Sequence, residues 1–154
     1  MENNIEFLQY IDQKYPSNKE FPDSFKYDEA MKKVHELMKI LQPILNTNLI
    51  LDQNVQDAYF FTEITAIINK PFFKGVEKSS NLILRFSYFK NMVAAGIFKD
   101  GMISDIPKYI KKEIEKQGWR VIRAHWLLNN KYNGIHQYFI DNEYEWWYRF
   151  FDYP

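Results

Sequence analysis

The chain contains no cysteine. Disulfides, thiolate metal sites and a cysteine nucleophile are therefore excluded. Only five glycines occur in 154 residues, and none stands in a Walker loop, a GxGxxG or a GxSxG pattern. A phosphate-cradling loop is accordingly not expected. There are three histidines, His35, His125 and His136, and none belongs to an HxH, HExxH or HxxxH pattern, so no zinc signature is present. No apolar run approaches the roughly 18–20 residues needed to span a bilayer. Met1-Glu2-Asn3-Asn4 lacks the basic-then-apolar order of a secretion signal. The expectation is a soluble, cytoplasmic protein without membrane association and without cofactor.

Net charge is also lacking, with 20 basic and 20 acidic residues, but the two signs are segregated along the chain. Residues 1–63 carry 11 acids and 6 bases, residues 64–131 carry 5 acids and 13 bases, and residues 132–154 carry 4 acids and 1 base. Such segregation fits acidic and basic segments pairing within one fold, or a charged face meeting a partner of opposite sign. A nucleic-acid partner is not favoured, because the basic stretch has no RNP-like, zinc-finger or helix-turn-helix pattern. Lysine outnumbers arginine 16 to 4, alongside 17 isoleucines and 13 asparagines, a bias that suggests an AT-rich bacterial genome.

What is abundant is aromatic surface, at 18% of residues. The last thirteen residues, 142–154, hold seven aromatic side chains. Each large ring can bury roughly 150–250 Å², so this tail either docks on the core or serves as an interface. Read as a helix capped by Asp141 or Asn142, it collects Trp146, Trp147, Phe150 and Phe151 on one side. Glu145, Arg149 and Asp152 form a polar stripe facing water, with spacing that allows a Glu145–Arg149 pair. Because Trp, Tyr and Arg dominate binding hot spots, Trp146, Trp147 and Arg149 are also candidate partner-binding residues.

Periodicity predicts a short helix over 4–14 and a longer one over 25–42, capped by Ser24 and closed by Pro43. The stripe of the longer helix is Tyr27, Met31, Val34, Met38 and Leu41. Residues 48–52 read as a strand. Residues 56–68 read as a helix with Val55, Tyr59, Phe60, Ile64 and Ile67 on one face, and 71–80 as a loop. Strands follow at 82–89 and 92–98, joined at Lys90-Asn91 and ended by Asp100-Gly101. A helix over 104–117 turns Ile106, Tyr109, Ile110 and Ile114 inward and ends at Gly118. Residues 119–128 alternate like a strand, Asn133-Gly134 signals a turn, and 135–140 reads as its return strand. The fold class is α+β: one domain over 1–154, with a mostly antiparallel sheet of four to five strands, helices packed on it, and 142–154 docked on the core.

Two constellations invite chemistry. If the two best strands share a face, Arg85, Ser87, Arg123 and His125 together offer two guanidiniums, a hydroxyl and an imidazole to an anion or a carboxylate. Asp52, Asp57 and Glu63, with Lys70 downstream, offer carboxylates for a divalent cation. Their spacing matches no metal motif, and no acid–base pair emerges. Catalytic residues are therefore not assigned, and the reading leans away from an enzyme.

Three stretches, 51–58 (Leu-Asp-Gln-Asn-Val-Gln-Asp-Ala), 85–89 (Arg-Phe-Ser-Tyr-Phe) and 146–153 (Trp-Trp-Tyr-Arg-Phe-Phe-Asp-Tyr), resemble small uncharacterised bacterial proteins of the polymorphic-toxin immunity type. The resemblance implies a small single-domain protein that acts by binding, and brings no catalytic motif with it. The chain departs from the acidic character of many such proteins in being neutral overall. The expected function is a non-enzymatic protein-binding domain that occludes a cognate toxin. A small-molecule or anion-binding domain, or a minor enzyme, using the Arg85 face is the alternative. A subunit that packs its tail against a neighbouring copy is a third.

Overall fold

A computed structural model describes residues 4–16, 22, 24–53, 62–68 and 80–152. Six helices and six strands occur among them: α1 (Asn4–Lys14), α2 (Tyr27–Leu45), β1 (Ile50–Asp52), β2 (Thr62–Ile68), β3 (Ser80–Ser87), β4 (Met92–Lys99), β5 (Met102–Ser104), α3 (Lys108–Lys116), β6 (Arg120–Arg123), α4 (Ala124–Asn129), α5 (Gln137–Asp141) and α6 (Trp146–Phe150). The architecture is α+β, with one six-stranded sheet rather than four or five strands. Its order is β1-β2-β3-β4-β5, and β6 lies on β4 as well. All pairings are antiparallel except β4–β6, which is parallel.

β2 replaces the expected helix. Thr62, Ile64, Ala66 and Ile68 turn inward and alternate with Glu63, Thr65 and Ile67. Five of the seven residues are β-branched, which stiffens χ1 against a helix and suits a pleated surface. The remaining residues assigned to that helix, among them Val55, Asp57, Tyr59 and Phe60, lie outside the described residues, as do Lys70 and the predicted loop over 71–79.

The β3–β4 connection turns at Lys90 and Asn91, both at φ 51°. Left-handed conformation at two successive non-glycine residues matches the twist of a tight hairpin. Asp100 and Gly101 make the second such turn, at φ 50° and 80°. They lead into the short strand β5, which sequence periodicity did not reveal.

One face of the sheet is closed by α2 and α3. Leu37, Leu41, Ile110 and Ile114 pack there on Ile64, Leu82, Leu84 and Ala95. The buried stripe of α2 is Met31, Val34, Leu37, Leu41 and Leu45, a rotation away from Tyr27 and Met38. Pro43 does not close the helix: burial of Leu45 extends it to Asn46, which caps it at φ 48°. Lys26, not Ser24, is the N-cap, and it makes no side-chain capping bond. On α3, Tyr109 is exposed rather than inward.

The second face is covered by α1, α4, α5 and α6, around Leu8, Ile11, Leu127, Phe139, Trp146 and Phe150. Two expected strands are helices here. Only Arg120–Arg123 of the 119–128 stretch is strand, and both Val121 and Ile122 are buried. From Ala124 the chain coils, because Ala124 and Leu127 together can then reach the core from one side. Asn129 Nδ2 and Asn130 Nδ2 donate to the carbonyls of His125 and Trp126, each at 2.7 Å, and close this short helix. Residues 137–141 form α5, of which Phe139 alone is buried. α6 starts at Trp146, later than a cap at Asp141 or Asn142 allows, because Lys131 and Glu145 form a β-bridge. In it Tyr132 N–H donates to the Tyr144 carbonyl at 2.8 Å.

Candidate functional site

Residues facing each other across paired strands project to the same side of a sheet, and successive residues alternate sides. The register therefore defines three cross-strand rows on the second face. Ile50, Thr65, Ile83 and Gly96 form one. Ile67, Asn81, Phe98 and Ile103 form the next. Asp52, Glu63, Arg85 and Ala94 form the third. Among the described residues, helix cover reaches only the β4 end of these rows. Gly96 is a glycine because a Cβ there would come within 2.6 Å of Ile103 Cγ2 and 3.2 Å of Ala124 Cβ on α4. Toward β1 the face opens: Ile50 is 60% exposed, Ile67 54% and Phe98 38%. Thr65 and Ile83 are half-buried between them.

The charged row borders this apolar area. Arg85 Nε donates to Glu63 Oε2 at 2.7 Å, its Nη1 lies 3.5 Å from Asp152 Oδ2, and its guanidinium sits 5.1 Å from the Trp147 ring. With Asp52, the border holds three carboxylates to one guanidinium among the described residues. The two uncovered rows, about 6.8 Å apart, run over at most four strands about 4.8 Å apart and make a patch of roughly 14 by 7 Å. That is small beside a standard footprint of about 800 Å² per partner, so it can form only the centre of one.

The predicted constellation of Arg85, Ser87, Arg123 and His125 does not assemble. Arg85 lies in register with Ala94 on the second face, whereas Arg123 lies in register with Ala95 on the first. Arg123 is exposed, 3.3 Å from Asp105. His125 is exposed on α4. Ser87 is buried, and its Oγ accepts the Phe89 N–H at 3.2 Å. Asp52 and Glu63 are in register with each other, but Asp57 and Lys70 lie outside the described residues. No group of three His, Cys, Asp or Glu side chains that could hold a metal ion occurs among the described residues.

The tail is core. Trp146, Phe150 and Phe151 are fully buried and Trp147 is 8% exposed, so none of them offers a surface for a partner. Arg149 does not join Glu145 in a water-facing stripe. It is buried, and its Nε donates to Asp12 Oδ1 at 2.8 Å, while Nη2 donates to the Tyr15 carbonyl at 2.9 Å. Glu145 pairs with Lys131 instead. Asp12 also accepts from the Tyr132 hydroxyl and, at 2.9 Å, from Ile135 N–H. His136 is buried, with its Nε2 3.3 Å from Asp12 Oδ1. Burial holds its pKa below 6.5, reinforced by Arg149 and opposed by Asp12. This polar cluster is shut off from water and joins the first helix to the last; its role is to hold the fold.

Sequence reasoning missed the open rows because they depend on strand order. The alternation at 62–68 carried the signal, with Ile67 out of phase with Ile64, Ala66 and Ile68. No helix among the described residues is long and apolar enough to cross a membrane. No protein-family model, curated protein or solved structure matches the chain, so its functional reading stands on this geometry.

Proposed function

We propose that the protein is a non-enzymatic binding domain that occludes a basic protein partner, in the manner of a toxin-immunity protein of the bacterial cytoplasm. The open second face carries this reading: Ile50, Ile67 and Phe98 stand exposed on a rigid sheet, bordered by Asp52, Glu63 and Asp152 against one Arg85. Exposed apolar side chains grouped on one face, here with the exposed Asn81 between Ile67 and Phe98, mark protein contact surfaces when a polar border surrounds them. Among the described residues the border carries more carboxylates than guanidiniums, which favours a positively charged partner and speeds encounter with it. The rigid sheet costs little ordering entropy on binding.

The test is capture by immobilised wild-type protein beside the Ile50→Asp/Ile67→Asp variant, from lysate of the source organism. Wild type should retain a basic protein that the double variant binds at least about thirtyfold more weakly, as loss of a hot-spot contact of about 2 kcal/mol requires. Co-expression with wild type, and not with the variant, should relieve growth inhibition by that protein. Equal retention by both proteins, or an acidic captured protein, would overturn the proposal. Concentration-dependent dimerisation of wild type abolished in the variant would assign the face to a second copy instead.

A further inference from the structure

α5 buries only Phe139 and leaves Tyr138 44% exposed, with Ile140 and the preceding Ile135 exposed as well. So short a helix holds because its end is tied down. Tyr144 N–H donates to the Phe139 carbonyl and Glu143 N–H to the Ile140 carbonyl, each at 3.0 Å, the paired bonds of a Schellman turn. The turn brings the Tyr144 ring back to 6.0 Å from Phe139 and 5.9 Å from Tyr138. A hydrogen bond with Tyr138 steadies the Tyr144 hydroxyl and raises its pKa above 10.0. Tyr148 on α6 continues the row, with its ring 5.0 Å from that of Tyr144. Tyr144 and Tyr148 are half-buried, so all three rings of the row reach water.

The shape and charge of the row narrow what can cover it. Successive rings are tilted by 48° and 42°, so they make no flat platform for a sugar or a base. They offer separate ring faces and edges, and a ring face attracts a compact cation. The neighbouring charges point the same way. Asp141, three residues after Tyr138, shares its side of α5, and Glu143 directly precedes Tyr144. Both carboxylates are exposed, and neither meets a cation among the described residues. Lys131 is already engaged, by the Glu145 carboxylate at 2.9 Å and by the Glu143 carbonyl. Exposed tyrosines beside unneutralised carboxylates complement a segment rich in positive charge.

We propose that the row of Tyr138, Tyr144 and Tyr148 docks a basic segment of another protein. Arginine heads stack on the tyrosine rings, and Asp141 and Glu143 accept from their N–H groups. Arginine suits this surface because its planar guanidinium can lie on a ring and still donate in its own plane. None of these residues belongs to the open rows of the sheet, so the surface goes beyond the occlusion reading and stands without it.

The experiment is titration of the full chain, at physiological salt, with the peptide acetyl-Arg-Gly-Arg-Gly-Arg-amide, followed by the tyrosine ring resonances. The same peptide with citrulline, an uncharged isostere of arginine, is the control. The arginine peptide should shift the Tyr138 and Tyr148 resonances saturably, with the citrulline peptide at least about tenfold weaker. Tyr138→Phe keeps the ring and should bind within about twofold of wild type. Tyr138→Ala/Glu143→Gly removes one ring and one carboxylate, and should bind about tenfold more weakly. Glycine is the residue a Schellman turn favours at the φ of 54° that Glu143 holds, so this variant should stay folded. Ile50→Asp/Ile67→Asp should bind the peptide as wild type does, which separates this surface from the sheet face. No saturable shift at Tyr138, equal affinity for the citrulline peptide, or undiminished binding by Tyr138→Ala/Glu143→Gly would overturn the proposal. Loss of binding in Ile50→Asp/Ile67→Asp would overturn it too, by placing the peptide on the sheet.

Discussion

At the scale of single residues, Asp12 explains more of its surroundings than any aromatic does. It is a fully buried carboxylate, and such a group persists only when its charge and lone pairs are met. Arg149, Tyr132 and the Ile135 N–H meet them. Gly134 follows as a consequence: a Cβ there would collide with the Asp12 carboxylate and the Tyr132 ring. Arg149→Met strands a buried anion, so a loss of about 3–5 kcal/mol in urea unfolding is expected. A cost below about 1 kcal/mol would show that the pair holds nothing together. His136 carries a pH dependence of defined sign. Its folded pKa lies below 6.5, so the unfolded chain takes up the proton first and stability falls as pH drops below about 6.5. Unfolding wild type and His136→Gln across this range separates the effect from carboxylate titration. The wild type should lose more stability than the variant between neutral and mildly acid pH. Parallel curves would refute a buried neutral His136.

At the scale of elements, sequence pattern was sufficient where one face meets the core and one meets water. α1 and the β3–β4 hairpin form close to where apolar spacing and the Lys90-Asn91 and Asp100-Gly101 turns place them. It failed where both sides of an element are buried or the element is only a turn or two long. Residues 124–129 fit alternation and helical spacing equally well, and tertiary closure over Ala94 and Gly96 decided for helix. The 135–140 stretch looked like a return strand because Asn133-Gly134 resembles a hairpin turn. In the fold Gly134 is needed for close approach to Asp12, and residues 137–141 coil into α5. Arg85 and Arg123 were individually recognisable as candidate residues. Their separation onto opposite faces depends on β6 running parallel beside β4, which local sequence does not encode. The open face was hidden for the same reason: Ile50, Ile67 and Phe98 stand near one another only through the register of four strands.

At the scale of the whole molecule, the chain closes by bringing its last helix onto its first. Arg149 on α6 reaches Asp12 and the Tyr15 carbonyl at the end of α1, and its guanidinium lies 4.9 Å from the Phe89 ring of the β3–β4 turn. Trp146, Trp147, Phe150 and Phe151 fill the second core between them. Burial of a large apolar side chain contributes about 1.5–3 kcal/mol. Four of them together reach the scale of an entire domain's stability, about 5–15 kcal/mol. Removing residues from Asn142 onward also exposes Leu8, Ile11 and Phe139 and leaves Asp12 without its cation. The truncated chain should therefore lose cooperative urea and thermal transitions and bind a hydrophobic dye. The first core, under α2 and α3, does not include the tail, so residual helical and strand signal in far-ultraviolet circular dichroism is expected to survive. A truncated protein that stays monomeric, soluble and cooperatively folded would mean that α6 does not hold the second core, and that its aromatic side chains are free to serve a partner after all.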